Sequence, residues 1–397
     1  MDKKCILLGA GASFGYDQTL LENERPPLGR DLLLRAVETG VLQKWKYPNL
    51  FFALVEYASQ FHKDEKTFSD IDVEEFLEHI AQELQNINAT IAATVPVPDP
   101  SRVELLKKSY ARDFPESWKS IAGEYDASTD PVSKERTFAN TLQMSLGESW
   151  YMTFELFKHY SISYRPNYDA YQRLALYHFK EKYSLISLNY DVIFELAAIA
   201  SGMLVRYPEQ RDPAMTFNDR KVIDIAKVHG SINWFNSYEN GINLGDTKER
   251  GYSLLHKMAG LIYSNRIQAQ PLLFVHPLLL SQIGLKEILI SGSKYYEPAL
   301  LPPIGGYKDY EKVKYFVSNW NTAANMIKEA SELVLIGTSL RRQDTKLRET
   351  LSQNVSKQVR VTIVGSKSTE TEIKSLLVDK IQDIVFHENF ETYARTL

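Results

Sequence analysis

Cysteine is almost absent from this chain of 397 residues, in which Cys5 is the only one. A single cysteine excludes a disulfide within the chain and a zinc site built from several thiolates. Cys5 lies inside an apolar run, where a free cysteine behaves as a small buried hydrophobe. We therefore predict neither a disulfide framework nor a bound metal.

Long apolar segments are also lacking, and no run approaches the roughly 18 residues that indicate a membrane-spanning helix. The first four residues lead directly into an apolar strand, without the features of a signal peptide. A formal net charge of −4 gives no broad attraction to nucleic acid or to an anionic membrane surface. These absences predict a cytoplasmic protein that binds neither membranes nor nucleic acid directly.

Five apolar segments have the length and composition of buried strands, and helical patterns follow several of them. This alternation predicts an α/β fold with a Rossmann-like, doubly wound parallel sheet. Each segment ends in small or polar residues. These strand ends are Gly9, Ala10, Gly11, Ala12 and Ser13, then Asn189, Tyr190 and Asp191, then His229, Gly230 and Ser231, then Gly337, Thr338 and Ser339, and finally Gly365 and Ser366. Because ligands of open α/β sheets bind outside the carboxyl ends of the strands, we expect the five clusters to form one crevice.

Residues 41–169 have helical periodicity and little strand character, which predicts a mostly helical insertion into the sheet domain. One apolar stripe at helical spacing supports this prediction and consists of Phe76, Ile80, Leu84, Ile87 and Ile91. Residues 236–299 are polar and mixed, and we assign them to a small mixed subdomain or loop region. The sheet domain is then predicted from residues 1–40, 170–235 and 300–397.

The first strand end is rich in glycine, and a helix is expected after it around residues 31–36. Strand, glycine loop and helix form the arrangement with which doubly wound sheets present backbone N–H groups to phosphate. The spacing is G-x-G-x-x-x-G, however, and no acidic residue ends a second strand about 20 positions on, as in ordinary dinucleotide sites. Residues 11–15 also spell the G-x-S-x-G elbow, with Ser13 as the nucleophile. The motif alone leaves open a phosphate loop, a serine nucleophile and a plain tight turn.

Taken together, the strand ends resemble the sirtuin pattern, and more narrowly that of the bacterial sirtuin-like family of NAD-consuming anti-phage defence proteins. The resemblance extends to further residues that are typical of that group. These are Leu301, Pro302, Pro303, Trp320, Leu340 and Asp344. The matching motifs run from the first strand to about residue 366, and residues 40–170 carry few of them.

The resemblance implies a Rossmann-like site for NAD as substrate. Residues 9–13 would line the phosphates, and Gly337, Thr338 and Ser339 with Gly365 and Ser366 would line the adenosine side. Three further residues, Asn189, Asp191 and His229, match those around the nicotinamide ribose, and Asn189 and His229 correspond to the family's catalytic pair. The protein-deacylating sirtuins carry a four-cysteine zinc module that this chain cannot build, which favours NAD cleavage over deacylation.

These side chains suit that chemistry. Nicotinamide in NAD is a cationic leaving group, so the reaction needs a polar cleft and a proton acceptor more than a strong acid. Histidine, with an ordinary pKa of about 6.5, accepts protons at neutral pH, which suits His229. Asn189 can donate and accept hydrogen bonds at once. Asp191 can hold the ribose, stabilise positive charge, or cap the helix expected from Val192.

Three functions follow as hypotheses. The first is an NAD glycohydrolase that releases nicotinamide and ADP-ribose, or a cyclic product, and depletes NAD in anti-phage defence. The second is a regulatory or scaffold subunit of a defence complex, whose NAD site is active only with a partner such as a HerA-type ATPase; a homo-oligomer is expected in either case. The third is a serine hydrolase using Ser13, which is disfavoured because only one strand precedes the elbow.

Overall fold

The computed structural model describes twelve stretches of the chain. They are residues 3–43, 46–61, 71–93, 131–162, 167–208, 221–238, 273–282, 290–291, 294–300, 314–341, 344–356 and 358–397. The Leu301, Pro302 and Pro303 motif lies outside the described residues, and so does most of the predicted mixed region, 236–299.

The described residues contain two groups of strands. In chain order they are β1 (Lys4–Leu8), β2 (Tyr183–Ser187), β3 (Leu204–Arg206), β4 (Val222–Lys227), β5 (Gly230–Tyr238), β6 (Leu273–Phe274), β7 (Ile290–Ser291), β8 (Lys294–Leu300), β9 (Glu332–Ile336), β10 (Val359–Val364) and β11 (Ile381–His387).

The α-helices of the described residues surround these strands. They are α1 (Ala10–Gly15), α2 (Leu32–Glu38), α3 (Pro48–Phe61), α4 (Val73–Ala93), α5 (Pro131–Ile162), α6 (Asp169–Lys180), α7 (Ile193–Ala200), α8 (Lys314–Glu329), α9 (Thr345–Asn354), α10 (Lys367–Leu376) and α11 (Phe390–Ala394). None of the described helices is long and apolar enough to cross a membrane.

Seven parallel strands form the central sheet, in the order β11-β10-β9-β1-β2-β4-β3. The predicted α/β class and parallel sheet are therefore confirmed. The chain fills one side of β1 with β2, β3 and β4 and then crosses to the other side with β9, so β1 and β9 form the topological switch point of the sheet. Five strands also end in one register row across the sheet. This row is Val364, Ile336, Leu8, Ser187 and Lys227. The residues that follow these five strand ends therefore lie along the same edge of the sheet, its carboxyl edge.

Both faces of the sheet are covered, which explains why its inner strands are mostly apolar. On one face, Ile6 and Leu8 of β1 pack in a core with Tyr171 of α6 and Phe194 of α7. On the other face, Cys5 and Leu7 pack in a separate core whose helical members come from α8, α9 and α10. The single cysteine is fully buried, as its apolar neighbours predicted.

The described residues between β1 and β2 carry helices α1 to α6, and α3, α4 and α5 pack in a third core. From the predicted stripe, Phe76, Ile80 and Ile87 are buried in this core and Leu84 packs against it. The side chain of Ile91 lies outside the described residues. The third core also includes Tyr190 and Val192, from the turn after β2, so the helical block contacts the carboxyl edge of the sheet.

The antiparallel second sheet, in the order β6-β5-β8-β7, begins earlier than expected. Strand β5 starts at Gly230, directly after β4, so the boundary predicted at residue 235 falls inside a strand. Gly230 has φ +83°, and a Cβ there would lie 2.0 Å from the carbonyl oxygen of Ala299. The absence of a side chain at Gly230 therefore allows β5 to pair closely with β8.

Other elements also differ from the prediction. Helix α1 follows β1 at once, ahead of the helix expected around residues 31–36, which corresponds to α2. Strand β3 was not predicted because it has only three residues. Strand β11 was not predicted because it is an edge strand whose side chains are half-buried or exposed, so its sequence lacks a continuous apolar run.

Candidate functional site

A cavity of about 610 Å³ lies at the carboxyl ends of β1, β2, β4, β9 and β10. Its lining brings together twelve of the thirteen residues predicted for the site. They are Gly9, Ala10, Gly11, Ser13, Asn189, Asp191, His229, Gly337, Thr338, Ser339, Gly365 and Ser366. The thirteenth, Ala12, is fully buried in the core below.

The loops after β1 and β9 are in direct contact at the switch point. The N–H group of Gly11 donates to the carbonyl oxygen of Gly337 at 2.9 Å. Gly337 has φ +58°, and a Cβ there would lie 1.9 Å from the nitrogen of Ala12. A Cβ on Gly9 would lie 2.5 Å from the oxygen of Gly337. The glycine pattern after β1 therefore has a packing cause, because two backbones approach more closely than side chains allow.

In a phosphate-binding loop the backbone N–H groups would point at the ligand, but here several of them already donate hydrogen bonds within the protein. The N–H groups of Gly9, Gly11 and Ala12 donate to Ile336, Gly337 and Gly9 respectively, each at 2.9 Å. A ligand at this loop would therefore meet the exposed Ala10 and nearby side chains more readily than these three amides.

Asn189 is held in one orientation at the floor of the cavity. Its Nδ2 donates to the carbonyl oxygen of Gly9 at 2.9 Å and to the hydroxyl of Ser13 at 3.0 Å. A carbonyl oxygen accepts but does not donate, so the amide nitrogen must face Gly9. The Oδ1 atom makes no hydrogen bond to any described residue and is the acceptor available to a ligand.

The turn formed by residues 188–191 is held by hydrogen bonds from the end of β4 and the start of β5. Three of its backbone carbonyl oxygens accept hydrogen bonds from residues 227–232. The bonds are His229 Nδ1 to Leu188 at 3.1 Å, Ile232 N to Tyr190 at 3.0 Å, and Lys227 Nζ to Asp191. Asn189 and His229 are thus joined through the same short piece of backbone.

The bond from His229 to a carbonyl oxygen assigns the tautomer of its ring. Nδ1 carries the hydrogen, which makes Nε2 the basic nitrogen. The ring is 7% exposed and lines the cavity. The rings of Tyr190 and Trp320 flank it, each with a centroid distance of 6.2 Å. The packing therefore orients the ring at the cavity wall, with the Nε2 atom itself buried.

Asp191 both lines the cavity and supports the following helix. Its Oδ1 accepts a hydrogen bond at 3.1 Å from the N–H of Ile193, the first residue of α7. Burial raises the pKa of the Asp191 carboxyl, while Lys227 and the Ile193 N–H oppose that rise. The N-cap residue of α7 is Val192, and Asp191, one residue earlier, satisfies the first N–H group of the helix alongside its place at the cavity.

Sequence reasoning did not place two groups of charged residues at the site, although it considered Glu195 as a helix-face or capping residue. The first is the buried pair of Lys227 and Glu195 behind Asp191. The second is a set of arginines that line the cavity, Arg25, Arg30 and Arg341. No part of the recognised motifs includes these charges themselves, so only tertiary structure shows that they lie at the site.

The arginines differ in how firmly they are held. The Arg25 guanidinium donates to the carbonyl oxygen of Leu20 at 2.9 Å. Arg341 pairs with Asp72 and Glu74 at 3.0 and 3.3 Å, which ties the loop after β9 to the start of α4. Arg30 has a side chain that is 71% exposed, and its Nε lies 3.6 Å from Oδ1 of Asp31. Arg30 is therefore the arginine best able to move toward an anionic ligand.

The surroundings of Ser13 bear on the serine-hydrolase hypothesis. Ser13 is 1% exposed, and its hydroxyl lies 3.0 Å from the Tyr171 hydroxyl and 3.0 Å from Asn189 Nδ2. Among the described residues, no histidine hydrogen-bonds to this hydroxyl. A serine nucleophile needs an adjacent base, so this geometry disfavours the hypothesis.

A scan against models of known protein families finds no match to this chain, and a search of curated proteins finds none either. Within the described residues, no group of three or more His, Cys, Asp or Glu side chains is placed to hold a metal ion. The proposal below therefore depends on the fold and on the geometry of the cavity.

Proposed function

We propose that this protein is an NAD glycohydrolase, which cleaves the bond between nicotinamide and ribose. The observation that carries the proposal is the meeting of Asn189 and His229 in one cavity, beside the glycine contact of β1 and β9. Dinucleotides bind at this position in doubly wound sheets. The cavity volume of about 610 Å³ falls in the range of roughly 300–1,000 Å³ usual for small-molecule sites.

In the proposed reaction, the C1′–N bond breaks and its electron pair leaves with nicotinamide, which becomes neutral. Water attacks C1′ of the ribose, and Nε2 of His229 accepts the proton that the water loses. The products are nicotinamide, ADP-ribose and one proton. A cyclic product forms when a group of the ADP-ribose itself replaces water.

The other residues stabilise the charge and orientation that this step requires. The Oδ1 atom of Asn189 accepts a hydrogen bond from the attacking water or from a ribose hydroxyl. An ionised Asp191 stabilises the positive charge that develops on the ribose. Ser13 and the Gly9 carbonyl keep the Asn189 amide in the orientation that exposes Oδ1.

The proposed orientation of NAD follows from the two ends of the cavity. Asn189 and His229 receive the nicotinamide ribose, and the strand ends of β9 and β10 receive the adenosine side. There Ser366 caps α10, with its hydroxyl accepting from the N–H of Ser368 at 3.2 Å. Arg30 lies at the cavity as a charge for the phosphates. We further propose a role in anti-phage defence, under control of an oligomer or of a partner such as a HerA-type ATPase.

The test is to incubate the purified protein with NAD and to quantify nicotinamide and ADP-ribose by chromatography. We expect release by the wild-type protein, alone or with the product of a neighbouring gene. Asn189→Ala and His229→Ala should each lower the rate at least about hundredfold while their circular dichroism is unchanged. No release by the wild type under any of these conditions contradicts the proposal.

A further inference from the structure

A pair of oppositely charged side chains is buried behind the candidate site. Lys227 and Glu195 have side chains that are 0% and 3% exposed, and Nζ lies 2.8 Å from Oε1. A buried ion pair often stabilises a fold no better than apolar residues of the same size, because both charges must leave water. A contribution to stability alone therefore does not explain well why these two charges are buried together.

Lys227 also contacts the turn that carries the candidate catalytic residues. Its Nζ donates a hydrogen bond to the backbone oxygen of Asp191. The Glu195 carboxylate balances the ammonium charge and in turn accepts from the Tyr207 hydroxyl at 3.2 Å. The lysine thus connects the core of the protein to the backbone of Asp191.

The Asp191 carboxyl faces titratable groups from several elements. They are Tyr16 after α1, Tyr171 of α6, Glu195 of α7 and Lys227 of β4. Burial has the largest effect and raises the pKa of this carboxyl; Lys227 lowers it, and Glu195 raises it by a smaller amount. Lys227 is the cation among these four groups.

We propose that Lys227 is a positioning residue, which holds the turn of Asp191 in place beside the cavity and keeps an ammonium charge next to it. Without the ammonium group, Asp191 takes up a proton at higher pH and its backbone oxygen loses a donor. Glu195 neutralises the lysine and does not act on the substrate. The consequence for catalysis rests on the proposed NAD cleavage, whereas the effect on the charge of Asp191 does not.

The test compares the wild type with Lys227→Met/Glu195→Gln. This double variant removes both buried charges and keeps an acceptor for the Tyr207 hydroxyl. The matched control is Arg206→Met/Asp224→Asn, which removes an ion pair of 2.7 Å that also involves β4 but does not line the cavity. Circular dichroism and thermal melting show that each variant is folded.

The first measurement is the titration of the Asp191 carboxyl carbon by 13C NMR, with the resonance assigned from Asp191→Asn. An adjacent opposite charge shifts a carboxyl pKa by about 1–3 units, so we expect the midpoint in Lys227→Met/Glu195→Gln to rise by about one pH unit. The control should match the wild type. If the double variant does not fold, Glu195→Gln alone replaces it and should lower the midpoint. An unchanged midpoint in the variant that folds overturns the proposal, whether or not the protein cleaves NAD.

The second measurement is turnover of NAD. We expect kcat of the double variant to fall about tenfold with KM within about twofold, and the acid limb of the kcat profile to move to higher pH. An unchanged kcat and acid limb overturn the positioning role. If the wild type releases no nicotinamide, the proposed function fails, and the NMR titration still decides the role of Lys227.

Discussion

The amide nitrogen of Asn189 lies 2.9 Å from the carbonyl oxygen of Gly9, and this contact joins the ends of β2 and β1. It determines which end of the Asn189 side chain faces the loop, because the carbonyl can only accept. The same nitrogen donates to Ser13 at 3.0 Å. The orientation of the proposed catalytic amide is thus built into the glycine loop.

Asn189→Asp tests this orientation. The substitution keeps the size and the acceptor but places a carboxyl oxygen against the Gly9 carbonyl, so we expect activity at least about a hundredfold below wild type. Loss of two buried hydrogen bonds should also lower the free energy of unfolding by about 1–3 kcal/mol. Turnover assays and urea unfolding measure the two effects. Activity near the wild-type level would show that the amide nitrogen is not needed.

Ser13→Ala tests the role of the hydroxyl as a support for Asn189. Loss of one of the two acceptors of Nδ2 should lower kcat about tenfold and leave KM within about twofold. Tyr171→Phe is the control, because it removes the hydrogen bond between Ser13 and Tyr171 and leaves the contacts of Ser13 with Asn189 and Asp191 in place. A larger kcat loss in Tyr171→Phe than in Ser13→Ala contradicts this role.

Gly337→Ala tests the contact between the loops after β1 and β9. Gly202→Ala is the matched control, since both glycines have positive φ, +58° and +74°, and a Cβ on Gly202 meets nothing within 4 Å. Both changes carry the backbone cost of about 1–2 kcal/mol. Gly337→Ala should cost about 1–3 kcal/mol more, because its Cβ collides with Ala12. If Gly337→Ala and Gly202→Ala lowered the free energy of unfolding equally, the loops after β1 and β9 would have to move apart at little cost.

His178 predicts a dependence of stability on pH. Burial lowers the pKa of His178, and its Nδ1 accepts from the N–H of Tyr183 at 3.3 Å. A lowered pKa in the folded state means that the stabilisation is present above the unfolded value of about 6.5 and is lost as pH falls through the folded value. We therefore expect the free energy of unfolding to fall between pH 7.5 and 5.5.

The variant His178→Asn keeps an acceptor but does not titrate, so the free energy of unfolding should fall less with pH in this variant than in the wild type. Changing the exposed His276 to Asn serves as the control, since that side chain lies at the surface. Urea unfolding at both pH values measures the difference. An equal fall in wild type and His178→Asn would remove His178 as the cause.

Much of the sheet could be predicted from the sequence because parallel strands buried on both faces leave uninterrupted apolar runs. The runs that end at Gly9, Asn189 and Gly337 indicated which edge would carry the site. The cause of the glycines could not be predicted, because a contact between Gly11 and Gly337 depends on strands that are neighbours only in space.

The pairing of Lys227 with Glu195 could not be predicted either, because these two residues are also neighbours only in space. A lysine at the end of an apolar strand usually indicates an exposed strand end, and its partner lies on a helix before that strand. The boundary predicted at residue 235 falls inside β5, because the chain passes from β4 to β5 within two residues while β5 pairs with the second sheet. Local patterns determine elements, whereas burial of charge and the choice of partner strand are tertiary properties.

A crystal structure of the Asn189→Ala protein with NAD bound tests the proposed site directly. We expect C1′ of the nicotinamide ribose to lie between position 189 and Nε2 of His229, with the adenosine near Ser366. A dinucleotide bound in the reverse direction, or bound away from this cavity, would contradict it.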